Sequence, residues 1–546
     1  MALSVPKVGL ARMLKDGTRH FQGVEESVNR NIEACVELAG QVRSAFGPNG
    51  MNKMVINHLQ KLFVTNDAAT ILNELEVQHP AAKLLVLACR MQQQEVGDGT
   101  NTVIILGASL LEHASELLKL GLSPAEIAEG YEAAADKALD LLPKLVVTKL
   151  EDMKNLDKVT AAIRPSIMSK QLGNEDFLAK LVAQACVQVA PKNASSLNVD
   201  NIRICKILGA GVGSSQVMNG MVFKRGAEGE VKKVKDAKVA VFTCAFDVTQ
   251  TETKGTILMN TAQELLSYSQ GEEKVVEEQV KSLADSGVTC VVSGGKFGEL
   301  YTHYLNKYGV MGVRLNSKFD LRRICRSLGA QAQTKIMALT PQLLGHCDYV
   351  GVEEVGDTEV VVFRQQNLEQ GPIATVLIRG SSENLMDDIE RAVNNGVNTY
   401  KALAKDGRLV PGAGAVEIEL AKQIESHGEK CAGLEQYAIQ KFALALEALP
   451  KQLADNAGAK ATEILSKLYA EHQKGQTSVG FDSATEGGGV TDVVAAGILD
   501  PFILKHWAVK LATNAATTIL KVDQIIVAKQ ASGPKPRDAH GQDEED

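Results

Sequence analysis

At 546 residues the chain is too long for one compact lobe, and at roughly 150 residues per domain it divides into about three. A formal charge of −8 excludes a protein whose main ligand is nucleic acid, which would need clustered excess Lys and Arg. Nine cysteines, scattered singly and odd in number without C-x-x-C spacing, exclude a disulfide-stapled scaffold and fit reduced thiols in the cytosol.

Aromatic residues are only 4% of the chain while Ala, Val, Leu and Ile abound, which suits a mixed α/β protein rich in helix. The first residues lack the apolar core of a secretory signal, and no run of 18 apolar residues follows, so a soluble chain with no membrane partner is expected. The sequon at Asn193 is then without meaning, because its chemistry needs a secretory route.

In chain order, Val24, Val28, Ile32, Val36 and Ala39 recur at helical spacing, as do Leu84, Leu85, Ala88 and Met91. Between them, two β-rich runs around a polar turn, Lys53 to Asp67, read as a hairpin whose exit, Asn66 and Asp67, can cap the helix beginning at Ala68. A helix over about 102–120 stops at Gly121. From about 214 to 371 the texture changes to short β-runs such as VAVFT, VTCVV, VGVEEV and TEVVVF, alternating with helical segments, as in a separate α/β domain. Within it, the segment from Thr253 to Leu283 reads either as an exposed helical projection or as an ordinary surface helix. Long helices return around 417–424, 434–448 and 511–520, so the middle is an insertion into a discontinuous domain, and the last 16 residues read as a disordered acidic tail.

The chemistry concentrates in EVGDGTN, Glu95 to Asn101, which opens a helix. Gly97 and Gly99 let the backbone approach an anion, the helix N-terminus offers unpaired N–H groups, and Asp98 is placed to hold Mg²⁺ bridged to phosphates. A plain Gly-Asp-Gly turn explains the same residues equally well. Two further Gly-rich elements, Gly47 to Lys53 and Val410 to Gly414, could approach the same ligand, whereas no Walker A spacing occurs anywhere.

Taken together, GPNGMNKM, VTNDAATIL, VGDGTN, MDDIERAV, LVPGAGAVEIELA and GILDPFILK stand in the order found in the group II chaperonins, the CCT or TRiC family, and the resemblance runs from about residue 25 to 528. It implies three domains: a helical equatorial domain from 1–146 and 406–530, a small intermediate domain from 147–213 and 372–405, and an α/β apical domain at 214–371 with a helical lid protrusion, before the tail at 531–546. It implies ATP or ADP and Mg²⁺ as cofactors, hydrolysis driving closure of the lid over unfolded clients of the actin and tubulin class, and paralogous subunits as partners in a hetero-oligomeric double ring. By the same resemblance Gly47, Asp98, Gly99, Thr100 and Asn101 hold the phosphates, with Asp98 on the metal, Phe46, Pro48 and Thr102 also bind the nucleotide, and Ser169 and Lys170 sense it. Gly412, Asp500 and Lys505 line its nucleoside end. Asp67 and Asp387 orient the attacking water, with Asp388 the adjacent candidate.

The sequence departs from the family pattern at Ala68, Asn101 and Ala413, where the family usually has Gly, Thr and Gly. These departures motivate an alternative expectation, a nucleotide-binding scaffold subunit with little hydrolysis of its own. A metabolic phosphotransferase would need a small-substrate acceptor site that no motif supplies.

Overall fold

The computed structural model describes residues 19–20, 24–191, 197–247, 261–365, 373–485 and 487–527. It is a mixed α/β structure, about half helical. The segments 248–260 and 531–546, which hold the start of the expected projection and the acidic tail, lie outside the described residues, as does the sequon.

After β1 (Arg19–His20), α1 (Val24–Val42) buries Val28, Ile32, Cys35, Ala39 and Val42, the i, i+4, i+7 stripe that a core-facing helix requires. The expected hairpin is β2 (Lys53–Ile56) paired antiparallel with β3 (Leu62–Thr65). Its turn is fixed by Asn57, whose Oδ1 accepts from the backbone of Leu59 and Lys61 at 3.0 Å each. Asp67 then caps α2 (Ala68–Glu74) by accepting from the Thr70 backbone N–H at 3.0 Å. α3 (Pro80–Glu95), α4 (Thr100–Lys119) and α5 (Pro124–Leu141) follow; α4 begins two residues before the expected start, and Gly121, at φ 95°, turns the chain out of it. A capping box between Ser123 and Glu126 starts α5.

β4 (Thr148–Lys149) leads to α6 (Leu156–Met168) and α7 (Glu175–Val189). The middle holds β5 (Ile202–Leu208), β6 (Gln216–Asn219), β7 (Met221–Phe223), β8 (Lys233–Phe242), α8 (Ala262–Asp285), β9 (Cys290–Ser293), α9 (Glu299–Lys307), β10 (Met311–Arg314), α10 (Lys318–Leu328), β11 (Gly345–Val355) and β12 (Thr358–Arg364). Its six-stranded sheet has the order β10-β9-β8-β11-β12-β7, parallel through β8 and antiparallel beyond. The expected β-runs all fall on its strands. The second half of α8 buries Val276, Val280 and Leu283 in one cluster with Tyr301, Tyr304 and Leu305, so this part is a helix laid on the sheet domain.

β13 (Ala374–Gly380) pairs parallel with β5 and antiparallel with β6, and its seven residues are all buried. It feeds α11 (Glu383–Lys405), capped by Ser382. β14 (Arg408–Pro411), α12 (Ala415–Gly428), α13 (Glu435–Leu446), α14 (Ala448–Asn456), α15 (Ala461–Gln473), β15 (Val479–Asp482), β16 (Gly489–Asp492), β17 (Leu499–Pro501), α16 (Phe502–Leu520) and β18 (Ile526–Val527) complete the chain. β14 lies between β4 and β17, and β1 pairs with β18, so the chain closes on itself twice.

The buried side chains gather in separate clusters. The largest joins residues between 28 and 142 to residues between 410 and 520. A second joins 150–202 to 374–409, and a third lies wholly between 221 and 373. In the first, the Tyr131 and Phe442 rings meet edge to face at 5.9 Å, and the Tyr131 hydroxyl donates to the Leu110 carbonyl at 2.8 Å. Phe442→Ala therefore opens a cavity at the seam of the two chain ends. We expect a loss of about 3–5 kcal/mol, read as a lower urea midpoint for the helical signal, whereas a change within about 0.5 kcal/mol would mean that the seam is not held there.

Candidate functional site

A cavity of about 430 Å³ opens where α4, α6, the β14–α12 loop and the start of α16 converge. Phe46, Gly47, Pro48, Asp98, Gly99, Thr100, Asn101, Thr102, Ser169, Lys170, Asp500 and Lys505 all line it. Residues from 46 to 505 meet here because the last helices pack back on the first, in the largest cluster.

At one end, Gly97 and Gly99 have φ of 80° and 77°, the left-handed region that glycine enters without penalty. A Cβ on Gly97 would lie 2.3 Å from the Asn398 side chain. Gln92 Nε2 ties this turn down, donating to the carbonyls of Asp98 at 3.0 Å and Leu504 at 3.4 Å. The Asp98 side chain accepts from the Gly99 N–H at 2.8 Å and from the Ser166 hydroxyl at 2.6 Å. It keeps part of its surface open to the cavity, yet burial pushes its carboxyl above the usual carboxylate range, with Lys170 and these hydrogen bonds opposing. A carboxylate strained in this way, beside a 20-residue helix opening on unpaired N–H groups, fits a divalent cation carrying phosphates.

Lys170 Nζ lies 3.0 Å from Asp67 Oδ1, with 7% and 6% of the two side chains exposed. Burial opposes both charges. Asp67 is nevertheless held below the usual carboxylate range by Lys170 and the bonds from Thr70, and Lys170 is raised by Asp67 and Asp98. Asp67 does not itself line the cavity but reaches it through Lys170.

Asn101 does something other than face a ligand alone: its Nδ2 donates to the Ala45 carbonyl at 3.1 Å, pinning the start of α4 to the loop that carries Phe46 to Pro48. Asn456 holds the same loop from the other side, donating to the Phe46 carbonyl at 2.7 Å. Gly47, at φ 82°, has Leu453 2.4 Å from where its Cβ would stand.

At the far end, Lys505 Nζ sits between Glu417 Oε1 at 2.6 Å and Asp500 Oδ2 at 2.9 Å. Burial pulls this lysine down, but the two carboxylates outweigh it and raise it above the ordinary value. Lys505 is thus a buttress that fixes Asp500. Pairing of Val410 with Asp500 in the β14–β17 ladder brings that carboxylate beside the Gly412–Gly414 loop. Gly412 does not line the cavity: a Cβ there would stand 3.1 Å from the Ile498 carbonyl oxygen and 3.4 Å from Asp500 Cγ, so it makes room for the residue that does. Ala413 lies in the lining at φ 51°, where a side chain is strained.

The acidic pair on α11 divides. Successive residues of a helix point about 100° apart, and Asp387 faces away from this cavity, paired with Lys206 beside Glu390. Asp388 faces inward, 6% exposed, accepting from Thr65 Oγ1 at 3.2 Å, from Gln171 and from Arg391. Burial raises its carboxyl, with Arg391, Thr65 and Lys170 opposing. Asn395 and Thr399 follow on the same face at seven and eleven residues, and Thr399 Oγ1 lies 3.1 Å from Ser166 Oγ. Asn395 is buried, and its Nδ2 has no hydrogen-bond partner among the described residues.

Residues 38–530 match the model of the TCP-1/cpn60 chaperonin family. The chain belongs to that family. It is a family of ATP-dependent protein-folding ring complexes. This chaperonin chain is 62% identical over 547 residues to T-complex protein 1 subunit theta of Caenorhabditis briggsae, covering 100% of the chain and 99% of the relative. It is 60% identical to the proteins of that name from Caenorhabditis elegans, over 100% and 99%, and from Homo sapiens, over 98% of each.

Ser166, Glu417 and the apolar wall of Leu449, Leu453, Phe481 and Ile498 line the site without having been singled out by motif. Ala413→Gly in this chaperonin chain removes the strain at φ 51° while adding unfolded-chain entropy. The net is expected to be a gain of up to about 1 kcal/mol in a denaturant midpoint, and a loss of stability would mean that the loop tolerates the side chain freely.

Proposed function

We propose that the chain is an ATP-hydrolysing subunit of a hetero-oligomeric double-ring chaperonin in the cytosol. ATP binding and hydrolysis with Mg²⁺ would drive lid closure over unfolded clients of the actin and tubulin class. The domain plan in this proposal is equatorial at 1–146 and 406–530, intermediate at 147–213 and 372–405, and apical at 214–371. The separate buried clusters, two of them built from chain segments on both sides of the middle, support that plan. One observation carries the functional reading: Asp98, held at the mouth of α4 by Gly99 and Ser166, shares its cavity with Lys170 and with an acid–lysine–acid buttress about the nucleoside end.

In this reading the N–H groups of residues 100–102 take phosphate oxygens, Lys170 supplies a compact positive charge, and Asp98 holds the metal. Mg²⁺ supplies charge neutralisation of the phosphates when bound. Hydrolysis is then mostly a matter of positioning a water in line. Asp67 is one carboxylate for that task. On the helix that would swing inward the second is Asp388, which lies beside Thr65 and Gln171 on the side of the Asp67–Lys170 pair, in preference to Asp387, which pairs with Lys206 on the other side.

One observation favours the scaffold reading as a second choice. Along the face of α11 that carries Asp388, the next buried polar side chains are an amide and a hydroxyl, Asn395 and Thr399, Thr399 reaching the cavity only through Ser166, and Asp67 is already engaged by Lys170. A subunit so equipped would hold nucleotide and turn it over slowly. Intact rings loaded with labelled ATP and chased with unlabelled ATP separate the two: labelled ADP released from this position supports hydrolysis, and retained labelled ATP supports the scaffold.

Asp98 also gives a stability prediction with a definite sign. Its carboxyl is raised in the folded state, so between the unfolded and folded values the native chain holds more protons, and stability falls as pH rises through that window. Asp98→Asn keeps the Gly99 and Ser166 bonds in shape while removing the charge. It should raise the ligand-free melting midpoint by roughly 2 °C or more and abolish the further rise on adding ATP and Mg²⁺. A variant that melts lower, or that still gains the full nucleotide shift, would remove Asp98 from the metal role. Steady-state assays of Asp388→Asn and Asp387→Asn in assembled rings are expected to show a kcat loss of roughly 10²-fold for the first with KM held, and little change for the second.

A further inference from the structure

A second cavity, of about 590 Å³, lies away from the nucleotide site where the β2–β3 turn, β5, β7 and the starts of α10 and α11 meet. Five cations line it, Lys61, Arg203, Lys206, Lys224 and Arg225, against three carboxylates, Asp320, Glu383 and Asp387. In a chain of formal charge −8 such an excess of positive charge in one hollow is a local inversion.

Two of the cations are neutralised within the protein. Arg203 Nη1 stands 2.9 Å from Asp320 Oδ1, with the guanidinium 5.3 Å above the Phe223 ring, and Lys206 is shared by Asp387 and Glu390, the latter at 2.7 Å. The other three have no ion-pair partner among the described residues. Lys61 Nζ lies 4.9 Å over the Phe63 ring, and Arg225 Nη1 donates only to the neutral Asn316 Oδ1 at 3.4 Å. They come from two distant stretches of chain and still line one space.

Two helices also open into it. Asn316 and Ser317 precede α10, of 11 residues, and Glu383 and Asn384 begin α11, of 23 residues, so both positive dipole ends point at the hollow. Burial is the main reason that the Arg203 guanidinium lies below its ordinary value, with the nearby Arg323 adding to it and Asp320 opposing.

We propose that this cavity is a second anion site that takes a small, multiply phosphorylated molecule, separate from the nucleotide cleft. The volume is that of a small-ligand pocket and not of a groove for a polypeptide. A guanidinium has five donors, of which Asp320 engages one edge, and Arg225 and the two lysines add charge-assisted donors spaced around the rim. A ligand bearing one negative charge would meet one or two of these, whereas several phosphates would meet the β2–β3 turn, the β7 exit and both helix ends at once. The site would therefore fasten together parts of the chain that belong to three different buried clusters.

The test uses assembled rings containing this chain, in Mg²⁺-free buffer with ADP in large excess, titrated calorimetrically with tripolyphosphate and, separately, with inorganic phosphate. Saturable tripolyphosphate binding that persists under ADP is expected, with inorganic phosphate at least roughly tenfold weaker. Lys224→Glu with Arg225→Glu, both exposed, should weaken tripolyphosphate by roughly tenfold or more while leaving ADP affinity and the melting midpoint unchanged. Lys61→Glu, on a hairpin turn, should weaken it as well and serves if the double variant fails to assemble. Binding abolished by ADP would place the anion in the nucleotide cleft and overturn the proposal, as would equal affinity for inorganic phosphate or unchanged binding in the charge-reversed variants. Failure of ADP itself to bind would count against the function proposed above, and tripolyphosphate binding would still decide this one.

Discussion

The contact on which the rest depends is the ion pair between Lys170 and Asp67. It joins the end of α6 to the exit of the β2–β3 hairpin, and both charges are almost wholly removed from water. Deleting either partner would strand the other, a change on the order of 3–5 kcal/mol, far more than a surface pair would lose. Asp98 leans on the same lysine. Two carboxylates and one ammonium thus share a corner, Lys170 lying between Asp67 and Asp98.

Most of the architecture could be read from the residues. Helix periodicity placed α1, α3 and α4, the polar turn placed β2 and β3, and Asn66–Asp67 gave the cap that α2 uses. Gly97 and Gly99 were legible as the glycines of a tight turn, because a left-handed backbone leaves a mark in sequence. What could not be read were contacts between distant segments. Glu417 is one more acid on an Ala-rich helix until α16 brings Lys505 within 2.6 Å of it, and Ser166 is one hydroxyl among many until Asp98 meets it.

The α11 pair shows the limit most sharply. A motif fixes position along the chain to within a residue, but a shift of one residue rotates a side chain by about 100°. Asp387 and Asp388 are chemically alike in sequence, and only the partners on either side of the helix tell them apart: Lys206 for one, Thr65 and Gln171 for the other. Asn395 was hidden for a different reason. A buried amide in the middle of a helix carries no pattern, and only the register with Asp388 and Thr399 gives its direction.

The largest buried cluster has a further consequence for how the molecule is made. Its first half is synthesised before residue 142 and its second half after residue 410. At ~5–20 residues per second, the ribosome needs on the order of tens of seconds to cross that interval. Throughout it, the inner faces of α3, α4 and α5 wait for α13 and α16, with Leu85, Leu110 and Tyr131 lacking their final covering. A nascent chain of this design is greasy for longest at its beginning, and its earliest helices are the last to be sealed.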